Sequence, residues 1–275
     1  MERSAAVIGL GNLGHAWASR VLGTRPLLLV EPDASRRADF ADAGDTVAMA
    51  TLPAAGAADS SHWAQVERVH VLVRTTDQAM TVLAQLEQLV GSGTPVHLHT
   101  TLSAAGASAL ADRATALRVL EQPVTGGAAG IHDGRFAVLT AGPATDEDHA
   151  WLADLGARVI PFAAYGDPTA AKLVNNVLAA CTTGATAALL LLARELGIDL
   201  TQMREVLRHG SGGSWMAEAL PDLQDDQVQL LVKDVGLLAE LAGRVPSVDP
   251  ADGAALLRDV SAARAAMLAT PGTRP

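Results

Sequence analysis

Of the 20 basic residues in this 275-residue chain, two are lysine, Lys172 and Lys233, and the rest are arginine. A protein that uses arginine wherever a fixed cation serves draws attention to the places where it kept an amine. Arginine holds its proton at any accessible pH, whereas a desolvated lysine can release one near neutrality. An amine is therefore fit for general acid/base work and a guanidinium is not. Two chance surface lysines are the plain alternative. Position favours Lys172. It follows Gly166-Asp167-Pro168-Thr169, a helix-start signal with proline in the first turn. Asn176 comes four residues later, on the same helical face, and Asn175 is expected to point elsewhere. Lys233 opens Lys233-Asp234-Val235-Gly236, where a solvated ion pair is the simpler reading.

A second constellation lies at the start of the chain. Gly9-Leu10-Gly11-Asn12-Leu13-Gly14 sits between an apolar run and a helical pattern. In that context Gly9 permits a tight turn, Gly11 lets a pyrophosphate approach the backbone, and Gly14 lets the helix pack close to the sheet. Glu31 follows at the end of the next strand, where a carboxylate can accept hydrogen bonds from ribose hydroxyls and repel a 2′-phosphate. That favours NAD. Arg36 and Arg37 are near enough to hold a 2′-phosphate instead, so NADP stays open.

These residues need elements to hold them. Strands are expected at 5–9, 27–31, 69–73, 95–100 and 118–121, with helices at 13–22, 34–43, 78–90 and 104–115 between them. Such alternation points to an α/β fold with a parallel sheet covered on both faces, an N-terminal Rossmann domain. Further strands are expected at 136–141 and 158–161, with a helix between them. From Gly166 a helix of about thirty residues runs to Leu196 and ends at Gly197. Helices follow at 201–209, 214–220, 227–242 and 253–268. The reading is a dinucleotide-binding domain at 1–165, a long interdomain helix, and an all-α C-terminal domain within 166–275.

Composition narrows the partners. Net charge is −10, which disfavours nucleic acid, because phosphate backbones need a basic face. The apolar run 177–193 approaches membrane-spanning length, but its threonines and charged flanks fit a buried helix better. The lone Cys181 is expected to be a buried thiol. No signal peptide is visible, so no membrane and a cytoplasmic location are expected. His99, His132 and His209 read as packing or surface residues, and Trp215 as a cleft cap, core or interface residue.

Taken together, the motifs resemble those of the β-hydroxyacid dehydrogenases, the group that includes 3-hydroxyisobutyrate, tartronate semialdehyde and 6-phosphogluconate dehydrogenases. Residues 9–14 look like GLGxMG, Pro123-Val124-Thr125-Gly126-Gly127 like PVSGG, Gly166 through Lys172 to Asn176 like GxxxxxKxxxN, and Lys233-Asp234 like the C-terminal KD pair. The resemblance implies that Lys172 is the catalytic acid/base. Thr125, Gly126 and Gly127 would cradle a carboxylate, and Asn176 would orient the reacting oxygen or the lysine. Lys233 would line the nicotinamide end, and Thr101, with Thr75 of the preceding loop, would contact the cofactor. It also implies a small anionic substrate and a homodimer or homotetramer.

The chain departs from the family pattern around the substrate. DxSTxxP reads His99-Thr100-Thr101-Leu102-Ser103, the usual LP is replaced within Val73-Arg74-Thr75-Thr76, and PVSGG has become PVTGG. Two other readings therefore stand beside a dehydrogenase of small 3-hydroxy acids or semialdehydes. One is an imine reductase-like NADPH enzyme, a group that typically lacks the lysine. The other is a non-catalytic dinucleotide-binding protein.

Overall fold

The computed structural model describes residues 4–22, 24–112, 117–246 and 253–268. Six strands form the main sheet: β1 (Ser4–Ile8), β2 (Leu27–Val30), β3 (Thr46–Met49), β4 (Val66–Val71), β5 (Pro95–Leu98) and β6 (Arg118–Glu121). All neighbours run parallel, in the order β3-β2-β1-β4-β5-β6. The order reverses between β1 and β4, so the loops at the C-terminal strand ends open a crevice there, where ligands bind in such sheets.

The two-residue period of the strands divides the core. Ala5 and Val7 face a cluster with Trp17, Leu29, Phe136, Val138 and Trp151, while Ala6 and Ile8 face another with Val69, Val71, Leu83 and Leu98. Helices α1 (Asn12–Val21), α2 (Ala34–Ala38), α3 (Thr76–Leu86) and α4 (Ala104–Asp112) connect the strands. A second sheet follows: β7 (Val124–Thr125), β8 (Phe136–Thr140) and β9 (Ala157–Pro161), ordered β7-β8-β9, with α5 (Gly127–His132) and α6 (Asp146–Asp154) between them.

The 3₁₀ helix Ala58–Gln65 and the elements β3, β7 and α5 were not expected from the sequence. β3 is a four-residue edge strand, half-buried at Thr46 and Met49 and exposed between them. β7 and α5 are only two and six residues long. Helix ends differ as well: α3, expected at 78–90, runs Thr76–Leu86. The helix expected at 34–43 stops at Ala38, and the chain turns so that Phe40 enters the core at 3% exposure. The end of the helix expected at 104–115 lies outside the described residues.

The C-terminal part is helical: α7 (Asp167–Glu195), α8 (Leu200–His209), α9 (Trp215–Ala219), α10 (Asp225–Ala242) and α11 (Gly253–Leu268). α7 packs on α10 around Leu173, Val177 and Leu238. Its start is tied to the main sheet by Glu121, at the end of β6. That buried carboxylate accepts hydrogen bonds from the amides of Gly166 (2.6 Å) and Thr169 (3.0 Å), two donors the helix cannot satisfy internally.

The expectation that α7 is buried does not hold for the single chain. It is long and apolar enough to cross a membrane by length and composition, yet 17% of its most apolar window is buried. α10 covers one side of the helix and leaves the other open. Cys181 shares that outcome and is exposed rather than buried.

Candidate active site

The glycine turn has the geometry its spacing predicts. Gly9 has φ 92°, and a Cβ there would stand 2.6 Å from the Leu72 carbonyl oxygen. A Cβ on Gly14 would collide with the Gly9 carbonyl. Around Gly11, by contrast, no atom from elsewhere among the described residues lies within 4 Å of the Cβ position, so the backbone there is open to a ligand. α1 begins at Asn12, its N-cap Gly11 offers no side-chain cap, and its first turn carries no acid. Its leading amides can therefore receive a phosphate. A cleft of about 710 Å³ lies alongside, lined in part by Leu10, Gly11, Asn12, His15 and Arg36. Leu13 packs against the core and anchors the helix. These residues fit the pyrophosphate of a dinucleotide.

Glu31 is nearly buried and does more than the sequence suggested. Oε2 accepts the Leu10 amide at 2.7 Å and Oε1 accepts the Asp33 amide at 3.0 Å. It thereby clamps the glycine turn to the end of β2. Each oxygen keeps a lone pair for a ribose hydroxyl. Arg37 donates to the carbonyls of Glu31 (2.5 Å) and Pro32 (2.8 Å), whereas Arg36 lines the cleft.

The loops after β4 and β5 carry Thr75 and Thr101. Thr75 is the N-cap of α3: its hydroxyl accepts the Gln78 amide at 3.2 Å, and Gln78 Oε1 accepts the Thr75 amide in return. Thr101 is half-buried, next to Thr100, whose hydroxyl donates to the Val73 carbonyl at 2.9 Å. Both threonines therefore stand on loops that open at the crevice.

Lys172 lies in the second turn of α7, half-buried, with Nζ donating to the Val124 carbonyl. Burial pulls its pKa down from 10.5 to about 8. Asp234 pushes it back up and Lys233 lowers it further. Lys172 is thus poised to exchange a proton. Asn176 shares its face but donates to Asp234 Oδ2 at 2.5 Å, and Lys233 Nζ lies 3.1 Å from Asp234 Oδ1. Asp234 is buried on α10 and joins the two helices at this point.

Thr125 stands across from α7, and here the sequence reading needs correction. Asn175, expected to point away, donates to the Thr125 hydroxyl at 3.2 Å and to Asn176 Oδ1 at 3.2 Å. Its amide reaches sideways from the helix because β7 passes close by. Gly126 has φ 111°, and a Cβ there would press on Arg135 and Phe136, while Gly127 at φ 65° has open space around it. Asn175, Asp234 and Glu121 were missed as site residues. Asp234 was signalled by its place beside Lys233, and Glu121 by its place at a strand end. Nothing local signals that Asn175 reaches β7.

The histidines divide as packing and surface residues do. His99 is buried at 2% exposure, whereas the side chains of His132 and His209 are 83% and 76% exposed. Trp215, at the start of α9, is 57% exposed.

Comparisons with known proteins agree with this geometry. Residues 4–162 match the family described as the NAD binding domain of 6-phosphogluconate dehydrogenase, and residues 166–267 match that described as NAD-binding of NADP-dependent 3-hydroxyisobutyrate dehydrogenase. L-threonate dehydrogenase from Cupriavidus necator is 30% identical, over 88% of this chain and 84% of that protein. Human mitochondrial 3-hydroxyisobutyrate dehydrogenase is 26% identical, over 86% of this chain and 74% of that one. The crystal structure of a 3-hydroxyisobutyrate dehydrogenase from Salmonella typhimurium superimposes with a TM-score of 0.73 at 26% identity, covering 96% of this chain and 95% of that one. The Rossmann sheet, the glycine turn and these matches over nearly the whole chain lead to one conclusion: the protein belongs to the NAD(P)-dependent hydroxyacid dehydrogenase family of 3-hydroxyisobutyrate dehydrogenase.

Proposed function

We propose that this enzyme oxidises a small 3-hydroxy carboxylate, reversibly, with Lys172 as the general acid/base. The observation that carries this is the half-buried Lys172 amine, its pKa drawn down to about 8, beside the threonine–glycine loop. A bound nicotinamide dinucleotide supplies the hydride acceptor. Neutral Lys172 takes the hydroxyl proton as the carbon loses its hydride, and in reduction the ammonium returns it. The Val124 carbonyl steadies the ammonium that forms. The Thr125 hydroxyl accepts from Asn175, so its own proton is free for a substrate carboxylate, beside the Gly126 and Gly127 amides. Asn176, held by Asp234, orients the reacting oxygen, and Lys233 lines the nicotinamide end.

The substrate class has support from the relatives. Those named for L-threonate, 3-hydroxyisobutyrate and L-serine share a carboxylate with a hydroxyl on the β-carbon. Oxidation of these three acids should be assayed with NAD and NADP in parallel, beside reduction of a cyclic imine with NADPH. Turnover of a hydroxy acid is expected. Imine reduction with no hydroxy acid oxidised would overturn the reading in favour of an imine reductase.

The functional unit we propose is a homodimer or a larger homo-oligomer. Val174, Leu178, Leu189, Leu192 and Leu196 are each 47–70% exposed, and at 100° per residue they fall along one face of α7 and its end. That face is turned away from Lys172. A second copy of the chain covers such a stripe without disturbing the site. The first 165 residues are proposed as the dinucleotide domain and the rest as the substrate and assembly domain. A cytoplasmic location fits a chain with a single cysteine.

A further inference from the structure

Gln122 stands where the chain leaves the main sheet for the second one. Its amide donates to the Leu98 carbonyl at 2.8 Å, in the first sheet, whereas the next carbonyl, Pro123, accepts from Leu139 at 3.1 Å, in the second. Glu121 pairs both ways with Ala141 at 3.0 Å, so bonds to the second sheet flank Gln122 on both sides. Its own groups bond across the join between the two sheets. The carbonyl accepts from His99 Nδ1 at 2.8 Å, Oε1 accepts from His97 Nδ1 at 2.7 Å, and Nε2 donates to the Thr140 hydroxyl at 3.0 Å. Gln122 and His97 are fully buried, and His99 and Thr140 nearly so.

The acceptors fix the tautomers. A backbone carbonyl can only accept, so His99 carries a proton on Nδ1, and His97 does so with the Gln122 amide oxygen turned towards it. Nε2 of neutral His99 then accepts from His70 Nδ1 at 3.0 Å, so the chain of bonds runs from His70 through His99 to the Gln122 carbonyl. Trp17 and Trp151 flank the three rings, at 4.2 Å from His99 and 4.7 Å from His70. Nε2 of His70 and of His97 has no partner among the described residues, and the bonds on the Nδ1 side hold the rings to Gln122. Two residues beyond it, the Val124 carbonyl receives the Lys172 ammonium.

We propose that Gln122 is the positioning residue for the catalytic lysine: clasped by His97, His99 and Thr140, it sets the backbone from which the Val124 carbonyl meets Lys172. This rests on the reading of Lys172 as acid/base. The charged groups acting on that amine are Asp234 and Lys233 of α10. Glu121 of β6 is committed to the start of α7, and the buried imidazoles are neutral.

The test uses the full-length protein. Because the chain has two lysines, ¹⁵N-lysine labelling gives two side-chain signals, and Lys233→Arg assigns them. Gln122→Met keeps the length of the side chain and removes its polar grip. The variant should lower kcat by about tenfold or more, as a displaced general base does. It should leave NADH affinity unchanged and move the Lys172 titration to lower pH, since a displaced carbonyl no longer steadies the ammonium. Thr140→Val should act in the same direction, and Thr140→Ser should restore the wild-type titration. This pair decides the matter if Gln122→Met does not fold. An unaltered lysine titration with wild-type kcat in the folded variants overturns the proposal. If Lys172→Ala keeps its turnover while Gln122→Met still moves the lysine signal, the acid/base reading fails and the positioning stands.

Discussion

At the scale of residues, the proposed reaction depends on the Lys172 amine, which changes charge near pH 8. Oxidation needs the neutral form, so its rate should rise as pH climbs through about 8. Reduction needs the ammonium, so its rate should fall through the same range. A pH–rate profile in both directions checks this. Removal of the Thr125 hydroxyl, in Thr125→Val, should raise KM for a hydroxy acid by about tenfold, corresponding to the loss of one charge-assisted hydrogen bond. Affinity for NADH should be unaffected. Initial-rate kinetics and cofactor titration separate the two effects. The lysine was legible because arginine had replaced lysine nearly everywhere else. Asn175 was not, because its partner Thr125 lies fifty residues away on β7 and helical periodicity alone turns the side chain elsewhere.

At the scale of elements, His70, His97 and His99 make the join between sheets sensitive to acid. Burial, the largest cause, holds their pKa values down, to about 4 for His97 and about 3 for His99, with His70 lowered as well. Above pH 6.5 these groups are neutral whether the chain is folded or unfolded, and they cost nothing. Below it the unfolded chain binds protons that the folded one refuses, so stability falls as pH drops towards the folded values. For His97 alone the loss amounts to on the order of 3 kcal/mol at low pH. Melting temperatures from pH 7.5 to 4.5 should fall more steeply for the wild type than for His97→Gln, which lacks that proton site. The alternation of apolar runs and helical patterns made most of the main sheet legible. β3 was hidden by its shortness at an exposed sheet edge, and β7 by its length. His97 and His99 could not be recognised as a network, because His70 lies on β4 and Gln122 just beyond the end of β6.

At the scale of the whole molecule, the sequence showed a long apolar helix without showing what covers it. α7 is covered on one side by α10 and carries a leucine stripe on the other. Light scattering should report a dimer or larger assembly. Leu178→Asp combined with Leu192→Asp should shift it towards monomer and lower the melting temperature, while NADH still binds to the N-terminal sheet. The substrate loops, where the chain departs from its family, were legible as departures but not as geometry. The structure shows that His99 replaces the expected acid as part of a buried neutral network. The central claim is that a family dehydrogenase uses Lys172 to move the proton. Its most direct test is Lys172→Ala, assayed for hydroxy acid turnover and NADH binding, with and without added methylamine. Turnover lowered by about 10²–10⁴-fold, partial recovery with the amine, and unchanged NADH affinity are expected. Turnover close to wild type without added amine would contradict that claim.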